Sequence, residues 1–154
     1  FFKTENQQRE LIMFTLENLD TPKGHIEGKS LHVTDASGEL AYADDKKQKP
    51  VKIHFLGPKS REGKAATLQF MKAYSKTQEL RDSDEDKSFE ALDAIEDSIC
   101  NRISAVATGW ENVNNSDGDV EFSKEAIYNA CLRSQDLRDQ CYKFIQNEEA
   151  FIQA

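Results

Sequence analysis

An apolar stripe with helical spacing between positions 89 and 106 constrains the fold of this chain more than any other feature. The stripe advances in steps of three or four residues through Phe89, Leu92, Ile95, Ile99, Ile103 and Val106. The opposite face carries Glu90, Asp93, Glu96, Asp97 and Asn101. Because such steps return to one side of an α-helix, the pattern predicts an amphipathic helix. We interpret the stripe as a core face of its own domain; the alternative is a seam that binds another protein.

The segment that follows, residues 106–127, contains the only tryptophan, a polar turn and the start of a further helix. We expect Gly109 to end the long helix as its C′ residue, with Trp110 directly after it. Asp117-Gly118 is a strong signal for a reversal of the chain. The sequence therefore predicts a helix, a tight turn and a second helix in this segment.

Serine residues mark the predicted starts of the last two helices. Ser123 is a suitable N-cap, and Phe122 and Ile127 on either side of it can form a hydrophobic staple. Ser134 is expected to cap the final helix. The predicted inward-facing residues of that helix are Leu137, Cys141, Phe144 and Ile145, with Phe151 and Ile152 extending the stripe.

The first third of the chain alternates apolar and polar residues in the manner of β-strands. Leu31 and Val33 indicate one strand, and residues 40–43 are expected to return as another after a turn at 35–38. The clearest strand has the inward-facing residues Val51, Ile53 and Phe55, and Gly57-Pro58 ends it. These strands predict a small antiparallel sheet with one buried face.

A further helix is predicted from an N-cap at Ser60 to about Thr77. One side of it carries Ala66, Phe70, Ala73 and Thr77, and the apolar stripe is widened by Leu68, Met71 and Tyr74. Lys64, Lys72 and Lys76 face elsewhere, and we interpret them as a solvated face rather than as a nucleic-acid contact.

These patterns predict one α+β domain over residues 29–154, with a small antiparallel sheet in the first third followed by a bundle of about four helices. Residues 1–28 are expected to be an N-terminal segment that is partly disordered. Arg9-Glu10 can be encoded by a purine-rich ribosome-binding sequence shortly before Met13. We therefore hypothesise that translation starts at Met13 and that residues 1–12 are read-through of an untranslated leader.

The charge of the chain limits the class of partner. The 154 residues carry a formal net charge of −8. Nucleic acids and anionic membrane surfaces require clustered Lys and Arg, so neither is expected as a partner. No apolar run approaches the roughly 20 residues that a membrane span needs. The composition is that of a soluble protein, suited to basic or amphipathic partners.

Two acidic segments resemble calcium-binding loops but lack residues that such loops require. Between positions 82 and 86 acidic residues alternate, but Lys87 stands where a calcium loop requires glycine. Around Gly118, an EF-hand would place Val113 and Lys124 at its first and last ligand positions, where neither can serve. We interpret the first as an acidic helix start and the second as a turn.

The sequence contains none of the common catalytic motifs, and we predict no catalytic residue, no metal and no cofactor. The histidines are His25, His32 and His54, of which His32 and His54 are candidates for a pair on neighbouring strands. The three cysteines include no C-x-x-C pair, so we expect small buried side chains in a reducing cytosol. The expectation is a protein that is not an enzyme.

The order of parts in the chain resembles the small tail assembly chaperones of long-tailed bacteriophages, the class found in lambda-like siphophages. The shared parts are an amphipathic helix, a Gly-Trp-Glu-like step, an Asp-Gly turn, a Phe-Ser helix start, and a charged close that ends in Phe. In this chain the Gly-Trp-Glu-like step lies at residues 108–112, the Asp-Gly turn at 116–119 and the Phe-Ser helix start at 120–126. The close comprises a charged segment at 137–140 and the end in Phe at 147–151. A strand-then-helix opening lies at 51–58 and 60–62. The resemblance covers roughly residues 30–152.

The resemblance implies a role without catalysis in the host cytoplasm. Such chaperones bind the long tape measure protein, keep it soluble and help recruit tail tube subunits around it; self-association is also open. The alternatives are a structural phage protein of the neck or tail end that is retained in the virion, and an acidic binding module of a host.

No motif of the family indicates which face binds. Because an aromatic side chain at a turn can anchor a partner, we predict a partner-binding region around the turn, comprising Trp110, Val113, Phe122, Ile127 and Phe151. The alternative is that Trp110 and Phe122 hold the turn against the core of the domain.

Overall fold

The computed structural model describes residues 15–81 and 85–152, and the side chains within these ranges other than those at 80, 81 and 85–87. The helices are α1 Lys23–Glu27, α2 Arg61–Arg81, α3 Glu85–Val106, α4 Lys124–Arg133 and α5 Gln135–Gln146. The strands are β1 Lys29–His32, β2 Lys52–Phe55, β3 Ala107–Glu111, β4 Asn114–Asn115 and β5 Gly118–Asp119. Short 3-10 turns lie at Leu16–Leu19 and Glu148–Phe151.

The predicted α+β class is confirmed. The predictions about residues 1–12, Met13 and calcium ligands at 82–86 fall outside the described residues and side chains.

The main sheet is antiparallel, with the strand order β1-β2-β3. Ile53 and Phe55 of β2 are buried while their neighbours are partly exposed, which confirms the alternation predicted for this strand. The predicted returning strand at 40–43 forms only the isolated bridges Thr34–Leu40 and Tyr42–Pro50. The third strand of the sheet is instead β3, which the sequence pattern did not indicate.

The prediction that Gly109 ends the long helix is wrong. α3 ends at Val106, β3 begins at Ala107, and Gly109 lies within β3 opposite His54. A Cβ at Gly109 would stand 3.4 Å from His54 Cδ2, an ordinary van der Waals contact, so this position in the strand does not require glycine. The chain therefore passes from helix to strand without the left-handed glycine that commonly ends a helix.

The end of α3 is satisfied by a lysine that follows the hairpin. Lys124 Nζ donates to the carbonyl oxygens of Ser104 and Ala105 at 3.0 Å each and of Ala107 at 3.2 Å. Ser104 Oγ in turn donates to the carbonyl oxygen of Lys124 at 3.1 Å. The last carbonyls of a helix lack partners within the helix, and a cation there also complements the helix dipole. Lys124 thus links the start of α4 to the end of α3.

Hydrophobic side chains from the sheet and from α3, α4 and α5 form one core. Its fully buried members include Ile103 of α3, Phe55 of β2 and Ile127 of α4. The three cysteines also belong to it, as predicted, with 0% exposure each. The long helices α2 and α3 pack along each other through small residues, among them Ala66 and Thr77 on α2 and Ala91 and Ser98 on α3, all buried.

Residues 23–28 pack against the domain although the sequence analysis placed them in the N-terminal segment. His25 is 1% exposed, and its ring lies 5.5 Å from that of Phe151. The carbonyl oxygen of His25 accepts from the Gly57 N–H at 2.8 Å. A Cβ at Gly57 would lie 2.4 Å from His25 Nδ1, so only glycine allows this close approach. The packed part of the chain therefore begins before Lys29.

The predicted serine caps are confirmed at all three helix starts. Ser60 Oγ accepts from the Gly63 N–H at 3.0 Å, Ser123 Oγ from Ala126 at 2.9 Å and Ser134 Oγ from Leu137 at 3.2 Å. Each serine supplies an acceptor for a backbone N–H that has no partner within its helix. Within the described ranges, no helix has both the length and the apolar character needed to cross a membrane.

Replacing Lys124 with methionine tests the cap on α3. We expect Lys124→Met to lower the free energy of unfolding by about 1–2 kcal/mol, because two helix-end carbonyls and that of Ala107 lose a charged donor while the aliphatic chain is kept. Urea unfolding followed by circular dichroism measures the loss. Lys72→Met on the exposed surface of α2 is the matched control, and an equal loss in both variants would contradict the assignment.

Candidate functional site

The half of the α2–α3 hairpin nearer to Arg81 and Glu85 exposes four large apolar side chains, which we call the open hairpin face. They are Met71 and Tyr74 on α2 and Phe89 and Leu92 on α3, with 59%, 38%, 61% and 50% of their surface exposed. Large apolar side chains exposed on one part of a surface can mark a binding site. The face is therefore the candidate functional site of this chain.

Three of these residues, Tyr74, Phe89 and Leu92, belong to rows of side chains that reach the helical core farther along the hairpin. Phe89 and Leu92 begin the stripe whose later members Ile103 and Val106 are buried in that core. On α2, the Tyr74 ring stacks on Phe70 at 6.1 Å, and Phe70 meets Tyr142 of α5 at 6.0 Å. Met71 precedes Tyr74 by one helical step of three residues.

The face is open because the helices of the chain differ in length. α2 and α3 have 21 and 22 residues, whereas α4 and α5 have 10 and 12. At 1.5 Å per residue, the hairpin is about 32 Å long and its covering helices are about 15–18 Å long. α4 and α5 bury the later half of the α3 stripe, where Cys100 and Ile103 are fully buried. The earlier half extends beyond them.

The acidic edge of α3 runs beside this face. Glu96 forms an ion pair with Arg138 of α5, with Oε1 and Nη2 separated by 3.7 Å. Asp93 stands one turn after Phe89 on the same side of α3, as Glu96 stands one turn after Leu92, and Asp93 is exposed. Among the residues that the structure describes, Asp93 forms no ion pair. The face therefore combines apolar area with negative charge along one border.

The residues predicted as the partner-binding region divide into two groups. Trp110, Val113 and Phe122 are partly buried and lie together: the Trp110 ring meets Phe122 edge-on at 5.4 Å. The indole N–H donates to the Val120 carbonyl oxygen at 2.8 Å, and the Val120 N–H donates to Val113 at 2.9 Å. These contacts hold the β4–β5 hairpin against β3, which is the alternative stated from the sequence.

Ile127 and Phe151, the other two members of the predicted region, have 0% exposure. Phe151 packs between His25 and Phe144, at ring distances of 5.5 Å and 5.2 Å. Their side chains present no surface to a partner in this conformation. Both belong to the core: Ile127 is a buried residue of α4, and Phe151 is a buried residue of the 3-10 turn after α5.

The histidines predicted as a possible pair have different partners. His32 Nε2 lies 2.9 Å from the Ala41 carbonyl oxygen, and its ring meets Tyr42 edge-on at 5.0 Å. His54 Nδ1 is hydrogen-bonded to Ser30 Oγ, and its Nε2 lies 3.1 Å from Glu111 Oε2.

The row Ser30, His54 and Glu111 has the connectivity of a nucleophile, a base and an orienting acid. It crosses all three strands of the sheet, and Ser30 and Glu111 are exposed. Acyl transfer also needs donors that stabilise an oxyanion and a pocket that holds the substrate. We assign a structural role to the row, because its hydrogen bonds join the three strands of the sheet.

A cavity of about 310 Å³ also lies between α2 and α3, and its lining includes Ala66, Ala73, Asp97, Asn101 and Arg102. The Arg102 guanidinium lies 5.1 Å from the centre of the Phe70 ring, and Asp97 accepts a hydrogen bond from Tyr128 of α4. That hydrogen bond raises the pKa of Tyr128 to about 12. Apart from Phe70, its lining consists of alanine, polar and charged residues, and none of the four residues of the open hairpin face lines it.

The three cysteines are unpaired and buried in the core. Burial raises the pKa of the Cys100 thiol to about 11, which keeps it protonated at neutral pH. Within residues 15–81 and 85–152, no three His, Cys, Asp or Glu side chains are grouped to hold a metal ion.

Comparison with known proteins places no relative beside this chain: no protein-family model, no curated protein and no solved structure matches it.

Stability measurements distinguish the Trp110 region from the open hairpin face. We expect Trp110→Ala to lower the free energy of unfolding by about 2–3 kcal/mol, since it removes a partly buried ring and a hydrogen bond. Leu92→Ala on the open hairpin face should change it by less than about 1 kcal/mol. Chemical unfolding of both variants decides, and the reverse order would show that Leu92, not Trp110, supports the fold.

Proposed function

We propose that this chain is a tail assembly chaperone of a long-tailed bacteriophage. In this role it binds the tape measure protein in the host cytoplasm, keeps it soluble and helps recruit tail tube subunits around it. The resemblance over roughly residues 30–152 supports the proposal. The open hairpin face is the observation that carries it, because a chaperone of this kind needs apolar surface that is accessible before the partner arrives.

The physical requirement is that an apolar, helical partner be covered without making the complex insoluble. Met71, Tyr74, Phe89 and Leu92 supply the apolar contact area. The formal net charge of −8 supplies mutual repulsion between complexes, which keeps coated chains apart. An assembly role of this type involves binding alone and no reaction.

Co-expression with the longest helical protein encoded just downstream tests the proposal. We expect that protein to remain soluble and to copurify with the wild-type chain, and to precipitate when it is expressed alone. Leu92→Asp should abolish copurification, because a carboxylate on the face must be desolvated on contact. The matched control is Leu132→Asp on α4, where Leu132 is 44% exposed and outside the face.

The long protein precipitating regardless of this chain would contradict the chaperone role. Recovery of this chain from purified virions in stoichiometric amounts would instead support a structural protein of the neck or tail end. Trp110→Ala and Phe122→Ala complete the series. If either one abolishes copurification while its circular dichroism spectrum is unchanged, the binding surface lies at the β4–β5 hairpin.

A further inference from the structure

We infer that the open hairpin face binds an amphipathic helix that carries basic residues beside its apolar stripe. This helix would lie in the groove between α2 and α3, as α5 does farther along the same groove. The inference rests on the proposed function for the identity of the partner. The chemistry of the bound segment follows from how this chain packs its own helix.

α5 shows what the groove between α2 and α3 accepts. It contacts α3 through the ion pair of Arg138 with Glu96, and α2 through the ring contact of Tyr142 with Phe70. Arg138 is only 7% exposed and also donates to the Cys131 carbonyl oxygen at 3.4 Å. The bound helix in this chain thus combines apolar side chains with a basic side chain placed on the acidic edge of α3.

The same pattern continues toward the end of the hairpin. One turn beyond Phe70 on α2 stands Tyr74, and one turn before Glu96 on α3 stands Leu92. Both are exposed, and Asp93 stands one turn after Phe89 as Glu96 stands one turn after Leu92. The next section of groove therefore repeats an apolar floor and an acidic edge, and none of the helices that the structure describes lies above it.

A helix fits this groove better than an extended segment. Two antiparallel helices form a channel parallel to their axes, which a third helix fills at an interaxial distance of about 8–10 Å. The backbone groups of α2 and α3 are bonded within each helix, so the hairpin offers no edge with which a strand can pair.

The charge of the groove distinguishes a partner helix from a second copy of this chain. A second copy would bring its own Asp93 to the contact, and each copy carries a net charge of −8. Like charges that are placed together on binding oppose association. A segment with Lys or Arg along one border meets Asp93 as Arg138 meets Glu96.

Two synthetic peptides provide the test. Both have about 18 residues, enough for a stable helix, and carry the same leucine stripe at helical spacing. One has lysine at its polar positions and the other has glutamate. Binding of each labelled peptide to the full chain is measured by fluorescence anisotropy at near-physiological salt, where distant charges are screened. We expect the lysine peptide to bind and the glutamate peptide to bind at least about tenfold more weakly.

Variants locate the contact. Leu92→Asp should weaken binding of the lysine peptide by about tenfold or more, while Leu132→Asp leaves it unchanged. Should Leu92→Asp fail to fold, Tyr74→Ser tests the same groove from α2. Asp93→Lys should weaken binding of the lysine peptide and strengthen binding of the glutamate peptide. Its matched control is Asp45→Lys, with the same charge change at an exposed position far along the chain.

Equal weakening by Asp93→Lys and Asp45→Lys would mean that net charge alone attracts the peptide, and would overturn the inference. Unchanged binding in the Leu92→Asp and Tyr74→Ser variants would overturn it as well. Size-exclusion chromatography with light scattering is run on the chain alone, and a dimer that Leu92→Asp dissociates would assign the face to a second copy.

The peptide experiment tests the binding site and the co-expression experiment tests the proposed function, so either one can be contradicted alone. A long partner kept soluble by a chain whose peptide binding ignores Leu92 would preserve the proposed function and remove this site. Peptide binding at the face without any effect on the long helical protein would preserve the site and remove the function.

Discussion

The connection from α3 to β3 is the constraint on which the rest of the structure depends. The chain leaves a helix at Val106 and enters a strand at Ala107 with no turn between them. Such a junction exposes the last helix carbonyls: Lys124 donates to those of Ser104 and Ala105 and also to Ala107 of β3, and the Leu56 N–H donates to that of Val106. Because β3 follows directly, the long helix and the sheet are held in one orientation. Because Lys124 begins α4, the same contact also fixes where the covering helices start.

That orientation decides which part of the hairpin is covered. α4 starts at the end of α3 and extends over only about half of its length before α5 turns back. The later half of the α3 stripe becomes core, and the earlier half becomes surface. One uninterrupted pattern in the sequence therefore supplies both core and exposed surface, and the boundary between the two is set by the lengths of other helices.

The aromatic cluster at the turn has a structural role that complements this arrangement. Trp110 joins β3 to the β4–β5 hairpin through its contact with Phe122 and its hydrogen bond to Val120. The hairpin leads the chain back to Ser123, whose side chain caps α4 next to Lys124. Holding the turn in place thus positions the lysine that caps α3, so Trp110 and Phe122, which are also predicted to meet a partner, support the junction.

The sequence predicted the features that depend on local chemistry. The serine caps, the alternation of β2, the long amphipathic helix and the α+β class follow from hydrogen bonding at helix ends and from the periodicity of apolar residues. Burial of the cysteines was predicted from the same periodicity. These preferences act over a few residues, so they can be read without knowing where the chain goes next.

Only the tertiary structure decided the features that depend on distant residues. Gly109 has the chemistry of a helix end, yet it lies in a strand because Lys124, far along the chain, supplies the cap and His54 the pairing. Phe89 and Ile103 share one stripe, yet one is 61% exposed and the other 0%. The difference is the reach of α4 and α5, a distance in space that the stripe itself does not encode. The sequence determined which side of α3 is apolar, and the packing of shorter helices determined how much of that side remained available for binding.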